Sequence, residues 1–150
     1  MMVQVGLFAG LRVAELCKQR VEDVSLADST IIIRDGKGHA DGAVPIAARL
    51  KKPLADWIGN RAEGFLFPDP RGRRLHTRHF RDRLYFLAAL ARIGRRVNPH
   101  LLRHTFATQL WKKCKDIRKV QPLMRHRDIS TTMIYTHVLP LDLQAVVDLL

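Results

Sequence analysis

Residues 30 to 47 set the tightest limit on what this chain can fold into. "TIIIR" and "AVPIA" are short runs rich in β-branched and apolar residues, and the "DGKGHADG" between them supplies glycines and aspartates for the left-handed positions of a hairpin tip. The pattern predicts a two-stranded antiparallel hairpin, with "FLF" at 65–67 as the candidate third strand. Elsewhere the spacing is helical. "VQVGLFAG" reads as the stump of a helix, followed by a second over "GLRVAELCKQRVEDV" that ends near Gln19. Leu50, Leu54, Trp57 and Ile58 mark a helix over 47–60, and "GFLFPDPRGRR" behind it, with two prolines and two glycines, is loop. Further helices are expected over 76–93, 99–113, 116–124 and 130–137 and in the tail from Leu141. The expected fold is mixed α/β and mainly α: one helical domain over residues 1–150 carrying a small antiparallel hairpin or three-stranded sheet.

Charge then narrows the partner. The 150 residues hold 26 Lys and Arg against 14 Asp and Glu, a formal +12, which concentrates polyanions near the surface. Nucleic acid is the expected ligand. The run from Arg71 to Arg83 contributes Arg71, Arg73, Arg74, Arg78 and Arg81, with Arg95 and Arg96 further on; contacts of this kind grip a DNA backbone without reading sequence. No stretch approaches the roughly 20 apolar residues that span a bilayer, and "MMVQVGLFAGLR" lacks a basic leader and a small-residue cleavage site. The expectation is a cytoplasmic, nucleoid-associated protein with no membrane partner. Cys17 and Cys114 are too few and too far apart for a disulfide framework.

The richest stretch chemically is "NPHLLRHTFATQLW". Asn98 can cap a helix, Pro99 suits its first turn, and His100, Arg103 and His104 fall at i, i+3 and i+4 on one face, beside an apolar face of Leu102, Phe106 and Leu110. Two histidines four apart on a helix can bind zinc, but Leu101 stands where the zinc-peptidase motif has Glu. No metal is expected. Arg12, His126 and Tyr135 lie in other segments, and such a set without paired carboxylates suits chemistry on a phosphodiester. Two guanidiniums can fork onto the non-bridging oxygens and offset the charge that builds there. A phenol can attack phosphorus if cations or a base help remove a proton whose ordinary pKa is near 10; His100 is the candidate base. The departing sugar oxygen needs an acid, and Lys37 at the hairpin tip is placed to supply one.

The ordered set "GLFAGLRVAEL", "GKG", "VPI", "PHLLRHTFATQL" and "LMRHRDISTTMIYTHV" resembles the catalytic domain of the tyrosine recombinases, the phage-integrase family, over nearly the whole chain. The closing segment is similar to integron and transposon integrases. The resemblance implies site-specific DNA recombination by strand cleavage and rejoining, without cofactor. Arg12 and Arg103 would clamp the scissile phosphate, Lys37 would protonate the 5′-oxygen and His100 would act as acid or base. His126 would hydrogen-bond the phosphate, and Tyr135 would form the 3′-phosphotyrosine link. It also implies double-stranded DNA as partner and a homo-tetramer on DNA, joined through the C-terminal tail.

Departures from that pattern favour a second reading, a truncated remnant that holds DNA without cutting it. "HADGA" is nearly uncharged where relatives carry Lys and Arg, and Arg125 and Cys114 stand where relatives have glycines at helix C-termini. Pro122 falls inside a helix, at a cost of about 3 kcal/mol. The first helix of the catalytic domain and the N-terminal core-binding domain of full-length relatives are missing from the expected layout. A basic ribosome-associated protein and a metal-dependent nuclease are the remaining alternatives.

Overall fold

The computed structural model describes residues 1–34, 42–124, 145 and 147–150. The hairpin tip, the helix expected over 130–137 and the start of the tail lie outside the described residues, and with them Lys37, Arg125, His126 and Tyr135. In chain order the elements are α1 (Met2–Phe8), α2 (Val13–Lys18), a 3-10 turn (Val21–Asp23), β1 (Val24–Ser25), β2 (Thr30–Ile33), β3 (Gly42–Pro45), α3 (Ala48–Ile58), α4 (Thr77–Leu90), α5 (Pro99–Cys114) and α6 (Ile117–Met124). The chain is mainly helical with one small antiparallel sheet.

The sheet runs β1-β2-β3. Ile31 opposes Val44 and Ile33 opposes Gly42, and because successive side chains alternate faces, Ile31, Ile33 and Val44 bury one side together. The third strand is β1 and not residues 65–67. Phe65 forms only an isolated bridge with Arg20, flanked by the Val21 N–H on the Gly64 carbonyl and the Leu66 N–H on the Gln19 carbonyl. Two physical reasons decide this: Pro68 removes the next ladder donor, while β1 closes onto β2 through a short local turn at small entropic cost.

α5 is the central helix. Leu102, Phe106 and Leu110 are buried together with Val5 of α1, Ala9 just past its end, Leu16 of α2 and Leu50 and Leu54 of α3. A side chain of this size contributes roughly 1.5–3 kcal/mol when fully buried. Gly6 lets α1 lie close to α5, since a Cβ there would sit 3.1 Å from Leu102 Cδ1. Asn98 caps α5 by accepting from the Leu101 N–H at 2.9 Å, and Pro99 occupies the first turn, as the sequence pattern implies.

Helix C-termini correct one expectation. Cys114 is the last residue of α5, and the left-handed residue is its neighbour Lys115, at φ 54°, whose N–H reaches the Trp111 carbonyl at 2.8 Å. The glycine-favouring position is thus one residue later than the sequence comparison placed it. α4 ends in the same way. Arg92 adopts φ 52°, its N–H bonds the Ala89 carbonyl and the Ile93 N–H bonds the Ala88 carbonyl, both at 3.0 Å, which is the Schellman arrangement with arginine in the glycine position. Pro122 does lie inside α6, and a second proline, Pro53, lies inside α3; neither can donate to the carbonyl four residues back.

Replacing Arg92 by glycine removes the left-handed penalty without disturbing the two closing hydrogen bonds. Arg92→Gly is expected to raise the unfolding free energy by about 1 kcal/mol, read as a higher urea midpoint at unchanged slope.

Candidate active site around Gly10, Arg12 and Arg103

The turn between α1 and α2 is shaped by one residue. Gly10 holds φ +64°, and a Cβ on it would lie 2.4 Å from Phe106 Cδ1, so both backbone and space demand glycine. The turn sends Leu11 into the core and leaves Arg12 at the surface, its side chain 43% exposed. Arg12 is the N-cap of α2. Its own N–H donates to Glu15 Oε2 at 2.6 Å and its Nη1 donates to Glu15 Oε1 at 2.9 Å. Arginine has no acceptor with which to return the cap, and Glu15 holds both the backbone and the guanidinium of Arg12.

Arg103 comes to the same turn from α5. It is only 6% exposed, and its Nη1 donates to the Gly10 carbonyl at 2.6 Å while its Nη2 donates to the Met124 carbonyl. A buried guanidinium is tolerated when its fork meets well-placed acceptors. Here the fork joins the α1–α2 turn to the end of α6. The structure therefore brings Arg103 to the carbonyl two residues before Arg12, and through Met124 to the residue two before His126. Lys37, His126 and Tyr135 themselves are outside the described residues.

The His/Arg stripe on α5 does not point one way. Arg103 turns inward beside Leu102 and Phe106, whereas His100 and His104 are exposed; His104 Nδ1 lies 3.3 Å from Thr108 Oγ1. At about 100° per residue Arg103 falls within roughly 20° of buried Leu110, while His100 and His104 fall outside the arc of Leu102, Phe106 and Leu110. Among the described residues no three His, Cys, Asp or Glu side chains gather as a metal site, and no helix is long and apolar enough to cross a membrane.

The hairpin that carries Lys37 is anchored at its base. Arg34, three residues before it, donates from Nε to Oδ1 of buried Asp23 at 2.6 Å, and Gln19 Nε2 donates to the Ile32 carbonyl at 2.9 Å. Arg71, Arg73, Arg74, Arg78, Arg81, Arg95 and Arg96 are all exposed. Arg73 is held by Asp69, its Nη2 3.0 Å from Oδ2. The N–H groups of Arg73 and Arg71 also point at the Asp69 carboxylate. These bonds hold it below the usual carboxylate range.

The phage integrase family model matches residues 1–141. The chain belongs to the phage integrase family. A tyrosine recombinase of Pseudothermotoga lettingae is 39% identical over 141 residues, covering 92% of this chain and 49% of the relative. Among solved structures, XerA recombinase superposes with TM-score 0.76 at 35% identity, covering 94% of this chain and 53% of XerA. The integrase from mycobacterium phage Brujita gives 0.80 at 29%, covering 98% and 49%. The chain thus spans about half the length of the relatives it matches.

For this family member, sequence reasoning selected Arg12 and Arg103 but missed Glu15 and the structural burden on Gly10. The signal for Glu15 was available, since a Glu three residues after an N-cap is the second half of a capping box. Nothing in the sequence announces that Phe106, 96 residues on, would press against Gly10.

Gly10→Ala is expected to lose about 2–4 kcal/mol of stability, the sum of overpacking and left-handed strain. Gly72→Ala, also at positive φ but with nothing within 4 Å, should lose only about 1 kcal/mol; chemical denaturation of both reports the difference. For Asp69 the folded carboxyl titrates below the unfolded one, so its stabilisation is present above the unfolded pKa and disappears as pH falls through the folded value. Asp69→Asn should therefore melt lower than the parent at pH 7, with the gap closing below about pH 4.

Proposed function

We propose that this chain is the catalytic half of a site-specific DNA recombinase that cuts and rejoins strands through a 3′-phosphotyrosine intermediate. The observation that carries this reading is the Arg103 guanidinium seated on the Gly10 carbonyl, which joins the two arginine-bearing segments at one turn. Arg12 and Arg103 then face the scissile phosphate, Arg12 oriented by Glu15 and Arg103 by the two carbonyls. Preorganised cations at the developing charge cost no reorganisation when the transition state forms.

In the proposed reaction the Tyr135 oxygen attacks phosphorus, forming the P–O bond to the phenol as the bond to the 5′-oxygen breaks. Lys37 gives the leaving oxygen its proton, and His100 takes or returns the phenolic proton. A positioned acid or base contributes roughly 10² to 10⁴ in rate. His126 donates to the phosphate. A free 5′-hydroxyl from another strand reverses the step, so the ester energy is kept and strands are exchanged without net hydrolysis. The exposed arginines of the 71–81 and 95–96 segments hold the duplex backbone, and this chemistry uses neither metal nor nucleotide.

We further propose that four copies assemble on DNA by passing the C-terminal tail to a neighbour. In the isolated chain the described end of the tail is on its own body: Val147 is fully buried, Asp148 Oδ1 accepts from the Ala48 N–H at 2.7 Å, and Arg49 and Lys113 donate to the Leu150 and Leu149 carbonyls. Exchange between identical copies trades these contacts for the same contacts across subunits, at little cost in bonding.

A nicked duplex whose cleaved fragment diffuses away should trap the chain as a covalent adduct resistant to denaturant, undiminished by a metal chelator and abolished in Tyr135→Phe. Intact duplex binding with no adduct would instead identify a binding remnant, and loss of the adduct in chelator would identify a metal nuclease.

A further inference from the structure

α4 has more apolar surface than its own core contact uses. Phe80 and Leu84 are buried, and at about 100° per residue Arg83, Phe86 and Leu90 fall roughly 100° around the helix from them, with Leu87 at the border, a stripe at i, i+3, i+4 and i+7. Phe86 is 68% exposed and Leu90 70%, with Leu87 and, just past the helix, Ile93 each at 47%. Adjoining exposed apolar groups of this kind mark interaction sites more often than inert surface, and this spacing is the one through which helices dock on helices.

The border of the stripe identifies its occupant. Arg83 and Arg92 flank it, both exposed, and among the described residues neither has a carboxylate within ion-pair distance. The duplex is a poor fit, because phosphates leave Phe86 and Leu90 uncovered. Arg78 and Arg81 also lie roughly 150° around the helix from the stripe. A second copy is disfavoured by charge, since each chain carries +12 and would set arginine against arginine. Four residues also fall well short of the roughly 800 Å² per partner that a stable dimer buries.

We propose that the Arg83–Phe86–Leu87–Leu90 stripe of α4 is a docking surface for an acidic amphipathic helix of a partner protein. Apolar side chains of that helix cover Phe86 and Leu90, and its carboxylates meet Arg83 and Arg92. Because the stripe and the Arg78/Arg81 flank occupy different sides of α4, partner and duplex bind at once.

The test uses the full chain and a fluorescent peptide about 18 residues long, long enough to be helical, with Leu on one face and Glu on the other; a second peptide carries Lys in place of Glu. Anisotropy is read with and without saturating duplex. The Glu peptide is expected to bind in both conditions and the Lys peptide in neither. Phe86→Ser/Leu90→Ser should weaken binding by about tenfold or more while leaving duplex affinity, helical circular dichroism and melting temperature at parental values, since both side chains are exposed. Arg83→Glu/Arg92→Glu should exchange the preference between the peptides. The proposal is overturned if the serine variant binds the Glu peptide as well as the parent does, or if duplex displaces the peptide. It is equally overturned if the parent, and not the serine variant, self-associates in the ultracentrifuge.

Discussion

The fork of Arg103 is the joint on which the site depends. It is a charge placed in the interior, met there by the Gly10 and Met124 carbonyls. Removing an acceptor leaves a buried charge short of a partner, whereas removing the arginine leaves two carbonyls unsatisfied at roughly 1–3 kcal/mol each. Lysine is no substitute, since a point charge on a flexible stem cannot address two acceptors in one plane. Arg103 is therefore a structural tie between the α1–α2 turn and the end of α6, and in the proposed reaction the same side chain bears on the phosphate.

Around that joint the molecule is built in order of increasing sequence distance. Gly10 is forced by Phe106, Arg12 by Glu15 three residues on, and the hairpin base by Asp23 against Arg34. The first two contacts fix the backbone that carries Arg12, and the third fixes the base of the hairpin. The local ones are cheap in loop entropy. The distant ones, Gly10 against Phe106 and Arg103, are what make the site cooperative with the core.

Legibility in the sequence followed the same division. Helices with strong spacing and caps were readable: α5 begins at its Asn98-Pro99 signal, and α3 and α4 lie within the spans their apolar residues marked. The hairpin strands were readable from β-branched runs. What failed was tertiary. The "FLF" at 65–67 is strand-like in composition, yet proximity in the chain and Pro68 give the third place in the sheet to Val24–Ser25. The left-handed cap was placed at Cys114 by analogy when the hydrogen-bond pattern put it at Lys115. His100, Arg103 and His104 are neighbours on one helical stripe, but the edge of the buried face runs through it, with Arg103 on the Leu110 side and the histidines beyond. Glu15, three residues after the Arg12 N-cap, carries the capping-box spacing in the sequence, and its bond to the Arg12 N–H bears that out.

The N-terminus of α3 has Ala47 at its cap position and no side chain of its own to meet the first amide; the acceptor arrives from Asp148, one hundred residues later. During synthesis, then, α3 is made one hundred residues before the carboxylate that meets its first amide. A nascent chain stalled before residue 148 lacks that acceptor, so its α3 keeps an amide without this cap.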